Sequence, residues 1–303
     1  MATQTLSRRV QPARFRLRQA KWLGAILVLP AALFLLVFLA YPFVLGIYLG
    51  FTDARIGRPG EFIGFENYRY LLIDPVFRTA AVNAAVYTVS AVVLKTILGL
   101  SLAMLLNQPF RGYRFVRALT LIPWVVPSVL SAIAWWWIFD PQYSAISWLL
   151  RNGGLISENI NFLGDRILAR ASLIYVNTWR GTPFFAIGFL AGLQTVPDSL
   201  VDAAKVDGAN PWQVFWNITW PLLLPLTTIL TTFSTLWTFA DFQLVWAITR
   251  GGPANATHLF VTLAYQRAIQ GSVLSEGAAV ASFTLPVLII VAGSAVWALR
   301  RQS

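Results

Sequence analysis

The chain has 303 residues, of which 57% are hydrophobic and only 12% charged, with a net charge of +11 and no cysteine. A soluble domain carries about 25% charged residues, so this composition points to a polytopic membrane protein, and the absence of cysteine excludes disulfides, thiolate metal sites and cysteine catalysis. The positive charge is not a nucleic-acid signal: Arg8, Arg9, Arg14, Arg16, Arg18 and Lys21 crowd an acid-free stretch before the first apolar run, where they read as a topology signal.

Six apolar runs are long enough to cross a bilayer, at about 22–50, 79–106, 115–139, 171–194, 220–249 and 277–299. The first follows a basic segment, as in a secretory leader, but it is much longer than the roughly 7 to 15 apolar residues of such a leader. It is expected to be a retained span. Hydrocarbon offers the backbone no hydrogen-bond partners, so each run is expected to be helical. Pro30, Pro42, Pro123, Pro127, Pro183, Pro225 and Pro286 lie inside the runs and predict kinks. The fold class is therefore all-α, with six transmembrane helices in one domain, 22–303, after a basic cytoplasmic tail, 1–21. Arg111, Arg114 and Arg117, and then Arg300 and Arg301, form acid-free loops on the side of that tail, whereas the loops near 51–78 and 140–170 are mixed in sign. The positive-inside rule then places both termini in the cytoplasm.

One cytoplasmic loop breaks that rule. VDAAKVDGANPWQVFWNITWPLLLP, residues 201–225, carries Asp202 and Asp207, with Asp198 just before it, against a single Lys205. Ser199 with Asp202 has capping-box spacing. Gly208 suits the left-handed end of a helix, and Asn210–Pro211 suits the start of the next. The stretch from 198 to 219 therefore reads as helix, glycine joint, helix. It is either an amphipathic loop packed on its own bundle or at the lipid surface, or an element that docks into a protein groove. Its acidity speaks against anionic headgroups.

The same stretch resembles the EAA loop of ABC-importer permeases: DAAKVDGA, followed by FWNITWPLLLP and preceded by LAGLQTVPDSL. TWRGTPFF (178–185), FIGFENYRYLL (62–72) and TRGGPANATHLFVTLAYQRA (249–268) resemble the sugar-permease branch of that family. Asp202 stands where the family has Glu, which keeps the charge on a shorter arm. The resemblance implies the type I permease fold in a bacterial or archaeal inner membrane. It also implies a second permease subunit, of a different sequence, two ATPase subunits that bind ATP and Mg, and an extracytoplasmic solute-binding protein. Asp202, Ala203, Ala204, Asp207 and Gly208 would then form the coupling element that sits on an ATPase. The chain has no G-x-x-x-x-G-K-[ST] phosphate loop, so no ATPase site, catalytic residue, cofactor or metal is expected in it.

Ionisable residues inside spans tend to face the bundle interior. Asp241 lies among Trp237, Phe239, Phe242 and Trp246, and Arg180 lies in the fourth span. Aromatic faces beside a carboxylate suit a sugar, so Asp241, Trp237, Phe239 and Arg180 are candidates for the solute pathway. Equally, Asp241 and Arg180 could simply pair and staple two helices. Lys95 reads as snorkelling or as pairing with a partner subunit, His258 as an exposed outer-loop residue, and Trp135–Trp136–Trp137 as an interfacial belt. A secondary transporter is disfavoured because no internal repeat is seen, and an intramembrane enzyme because no acid–base set converges. A sugar, glycoside, polyol, sugar acid, glycerol phosphate or other small organic anion each fits as solute.

Overall fold

A computed structural model describes residues 26–302; the basic tail and the first residues of span one lie outside the described residues. The elements are helical throughout. Among the described residues, four helices are long and apolar enough to cross a membrane, and up to six spans result if two bent pairs each count as one. In chain order the first elements are α1 (Ile26–Leu49), α2 (Glu66–Ile73), α3 (Pro75–Leu106), α4 (Tyr113–Val125), α5 (Ser128–Ile138) and α6 (Ala145–Asn152). There follow α7 (Arg166–Leu193), α8 (Asp198–Val206), α9 (Pro211–Phe239), α10 (Phe242–Ile248), α11 (Phe260–Tyr265) and α12 (Leu274–Arg301).

The centre of the fold is α3 packed along α7. One face of α3 carries Ala80, Ala84, Ala91, Gly99 and Ala103, all buried, and such small residues let helix backbones approach closely without needing a hydrophobic driving force. Gly99 sits against the backbone and Cβ of Phe185, leaving no space for a side chain of its own. Side-chain caps start both helices: Asp74 accepts from Val76 N at 3.0 Å, and Asp165 from Ile167 N and Leu168 N at 2.9 and 2.8 Å, supplying orphan donors of the first turn. An outer ion cluster ties Arg267 to Asp74 at 2.6 Å and to Glu276 at 3.1 Å. By contrast α1 is exposed at every residue from 26 to 45 and meets the body only near its C-terminal end, against the start of α12.

Proline shapes the spans as its chemistry requires, though not uniformly. The predicted third span is two helices meeting at 90° across Val126–Pro127. The fourth turns by 70° into α8. Pro183 and Pro225 sit inside continuing helices. Pro42 and Pro221 each follow a five-residue π-turn, Leu36–Ala40 and Phe215–Thr219. Their missing N–H and the clash with the carbonyl four residues back are absorbed by the wider turn.

The predicted fifth span, 220–249, is corrected: helix α9 stops at Phe239 and a new helix begins at Phe242. The apolar run continues across the gap, so hydropathy gives no sign of it. What ends the helix is Asp241, whose carboxylate accepts from Leu244 N at 3.2 Å and caps α10.

Candidate functional site

The predicted site residues fall at two places: the elbow between α7 and α9, and the break in span five with the cavity beside it.

At the elbow, the expected Ser199–Asp202 capping box is absent. Pro197, in an extended conformation, precedes the helix, which starts at Asp198 without a side-chain cap. Ser199 thus already has helical backbone and cannot serve as the cap. Asp202 pairs instead with Lys205 at 3.0 Å, both exposed. The joint itself is as expected. Gly208 has φ +85°, and Asn210 and Gln213 form a reciprocal capping box at 2.9 and 2.8 Å with Pro211 at the first helical position. Asp202, Ala203, Asp207 and Gly208 are exposed and Ala204 is half-buried. The inner side, with Val201, Ala209 and Val214, lies over Met104, Asn107 and Leu193 at the ends of α3 and α7. The outer side leaves Val206 87% and Trp212 70% exposed. Trp212 meets the ring of Trp216, one turn on in the same helix, at 5.6 Å, and Val206 projects from the surface.

The cavity, of about 690 Å³, is bounded by α3, the end of α4, α5, α7, α9 and α10. Of the four predicted pathway residues, Trp237, Arg180 and Asp241 line it. Phe239 does not: it turns into the core, 5.9 Å from the ring of Phe260. Trp124, Phe184 and Trp237 form an aromatic wall, with ring separations of 6.3 and 5.6 Å. Ser128, Ser234 and Gln243 add hydrogen-bonding groups.

The Asp241–Arg180 pair, one of the two alternatives, is not formed. Asp241 Oδ2 accepts from Tyr87 Oη at 2.8 Å and from Asn177 Nδ2 at 2.9 Å. Neutral donors thus satisfy the carboxylate, and among the described residues Arg180 makes no ion pair and its buried Nε has no partner. Lys95, read from the sequence as snorkelling or facing a partner, is buried at 3% exposure. It donates to Asn177 Oδ1 at 2.9 Å and to Thr238 Oγ1 at 2.8 Å. Asn177 therefore stands between a cation and an anion, its carbonyl on the ammonium and its amide on the carboxylate. Gly181 makes room for the lysine stem: a Cβ there would overlap Lys95 Cδ. Sequence reasoning missed Tyr87, Asn177 and Thr238. The readable sign was the four-residue spacing of Asn83, Tyr87 and, two steps on, Lys95, which puts polar groups on one helix face.

His258 is also corrected. It is fully buried, not exposed, with Nδ1 3.1 Å from Thr262 Oγ1. Its ring packs on Gly251, at φ +88°, where a Cβ would overlap it. Asn83 Nδ2 donates to the carbonyls of Ala256 and His258 at 2.7 and 3.1 Å, tying this GGP loop to α3. Burial first, and the nearby Arg267 charge second, push the imidazole down to about 4. Below pH 6.5 the unfolded chain gains a proton that the folded one refuses. Stability is thus full above pH 6.5 and falls by up to about 3 kcal/mol towards pH 4. Thermal unfolding from pH 7.5 to 4.5 is expected to show this loss, and His258→Gln to flatten it. The Trp run divides as well: Trp135 packs on Phe139, Tyr175 and Trp179, while Trp136 and Trp137 are exposed.

Residues 95–300, which contain both the elbow and the cavity, match the family described as binding-protein-dependent transport system inner membrane component. The chain belongs to this family. As a permease component of an ABC transporter it has full-length relatives. It is 33% identical over 273 residues to a probable ABC transporter permease of Brucella suis, covering 90% of this chain and 94% of that one. It is 31% identical to the trehalose/maltose transport system permease MalF of Thermococcus litoralis (84% and 85%) and 33% identical to the sulfoquinovosyl glycerol transport system permease SmoG of Agrobacterium fabrum (86% and 84%). The fold matches a crystal structure of a bacterial ABC transporter involved in the import of the acidic polysaccharide alginate, with a TM-score of 0.82 at 21% identity, over 96% of this chain and 99% of that one. The resemblance and the type I importer fold expected from the sequence are both borne out, and the permease is an inner-membrane component.

Proposed function

We propose that this permease forms half of the translocation pathway for a carbohydrate-type solute, a sugar, glycoside or polyol, handed over by an extracytoplasmic binding protein. The cavity beside the span-five break carries this reading. Its wall of Trp124, Phe184 and Trp237 suits the C–H faces of a sugar ring, and Ser128, Ser234 and Gln243 suit its hydroxyls. The sugars named for the relatives MalF and SmoG support the same class. A second reading, a solute bearing an anionic group, is favoured by the buried, unpartnered Nε of Arg180.

The chain works without an ATPase site of its own, beside a second permease chain and two ATPase subunits that hold ATP and Mg. Asp202, Ala203, Ala204, Asp207 and Gly208 present the elbow to one ATPase, where exposed Val206 and Trp212 are buried. Both termini are cytoplasmic, on the side of the Arg111–Arg117 loop.

ATP-driven uptake by the reconstituted importer, comparing a neutral disaccharide with a sugar acid, tests the reading. Trp237→Ala is expected to raise KM about tenfold, as loss of a stacking face worth roughly 1.5 kcal/mol would. Unchanged uptake of every carbohydrate by Trp237→Ala would remove the cavity from the pathway. Arg180→Gln separates the two solute classes, since only an anionic solute loses its charge partner.

A further inference from the structure

Helix α9 runs without a break from Pro211 to Phe239, 29 residues, which at 1.5 Å per residue is about 43 Å. Its first residues belong to the elbow and its last to the cavity wall. Just beyond, Ala240 and Asp241 leave the helix before α10 begins, and α10 is packed against α5 and α7. A long rod thus ends on a two-residue joint next to a fixed helix.

The hydrogen bonds around the joint are placed on both of its sides. Lys95 Nζ holds Thr238, in the last turn of α9, at 2.8 Å. Through Asn177 it also supports Asp241, the first residue after the joint, and Tyr87 on the same face of α3 holds Asp241 directly. Without Lys95, Asp241 keeps two side-chain donors and its cap of α10, but Thr238 loses its tie to α3. The cavity end of the rod would then lose its polar anchor to α3 while α10 stays where it is.

We infer that Lys95 is a positioning residue for transport: it holds the cavity end of α9 in register with α3, so that displacement of the elbow reaches the cavity across the Ala240–Asp241 joint. The inference rests on the importer reading above. Lys95, which also lines the cavity, acts in this role through Thr238 and Asn177. Its effect is to make movement at the elbow and rearrangement at the cavity one event.

The test uses the complete importer in proteoliposomes, with uptake and ATP hydrolysis measured separately. Lys95→Met is expected to lower solute moved per ATP about tenfold, the scale of one lost charge-assisted hydrogen bond, with assembly and hydrolysis retained. Lys95→Arg is expected to restore most of the ratio. Because the chain has no cysteine, Ala240→Cys, at the exposed joint residue that also lines the cavity, gives this subunit a single thiol at the cavity. Its maleimide labelling rate is expected to change with ATP when Lys95 is present and to become ATP-independent in Lys95→Met. If Lys95→Met does not assemble, Lys95→Gln, which keeps a donor, is expected to show the same loss in smaller measure. Uptake and hydrolysis falling together at a constant ratio, or labelling that still follows ATP, would overturn the role of Lys95. Absence of ATP-driven uptake with Lys95 intact would instead overturn the importer reading beneath it.

Discussion

Gly208→Val is expected to abolish ATP-driven uptake while the membrane-embedded part of the permease stays folded. Gly208 has φ +85° and nothing lies within 4 Å of the position a Cβ would take. The substitution therefore meets no steric obstacle from neighbours, only the backbone penalty of about 1–2 kcal/mol that an L-residue carries in the left-handed region, greater for a β-branched one. The chain can relieve that penalty by changing the angle between α8 and α9, and the angle is what a docking partner would read. Gly208→Asn, which tolerates this conformation, is expected to retain most uptake. Co-purification of the ATPase subunit with each variant, together with uptake, decides the matter. Full uptake by Gly208→Val would mean that the elbow is a surface loop without a coupling role.

The second large effect falls on stability. Asp241→Leu removes the acceptor of Tyr87 and Asn177, the cap of α10 and the only carboxylate lining the cavity with Lys95. Leaving the Tyr87 hydroxyl and the Asn177 amide without an acceptor costs about 1–3 kcal/mol each, and loss of a cap about 1 kcal/mol. The unfolding midpoint of the detergent-solubilised protein is expected to drop by on the order of 10 °C. Asp241→Asn, which keeps an acceptor and a cap, should drop less. A midpoint for Asp241→Leu equal to that of Trp237→Ala would show that the network contributes nothing to the fold.

How far the sequence reached depended on the range of the forces involved. Apart from the fifth, the spans were legible from apolar runs to within a few residues, because the bilayer imposes a length on each segment by itself. Gly208 and the Asn210–Pro211 start were legible for a similar reason, being local backbone chemistry. The break at Asp241 was not, because its partners Asn177 and Tyr87 lie 64 and 154 residues away in the chain. Lys95, read as snorkelling or as pairing with a partner subunit, and His258, read as an exposed outer-loop residue, were both placed away from the protein's own interior. Each had found fixed neighbours instead, at Asn177 and Thr238 for the lysine and at Thr262 for the histidine. The Asp241–Arg180 pair failed because opposite charges in one cavity need not meet when neutral donors are nearer.

The π-turn at Phe215–Thr219 carries a consequence for the lineage of this chain. The wide turn takes up one residue more than an α-turn while the helix on either side keeps nearly the same facing, so deleting one residue there and closing the segment to α geometry would leave Trp212 facing much as before. An insertion, or a second deletion, has no wide turn to absorb it and would swing Trp212 and everything before it by about 100° around the rod. The spacing from Gly208 to Pro221 should therefore tolerate the loss of one residue, and other changes in length far less well than substitution.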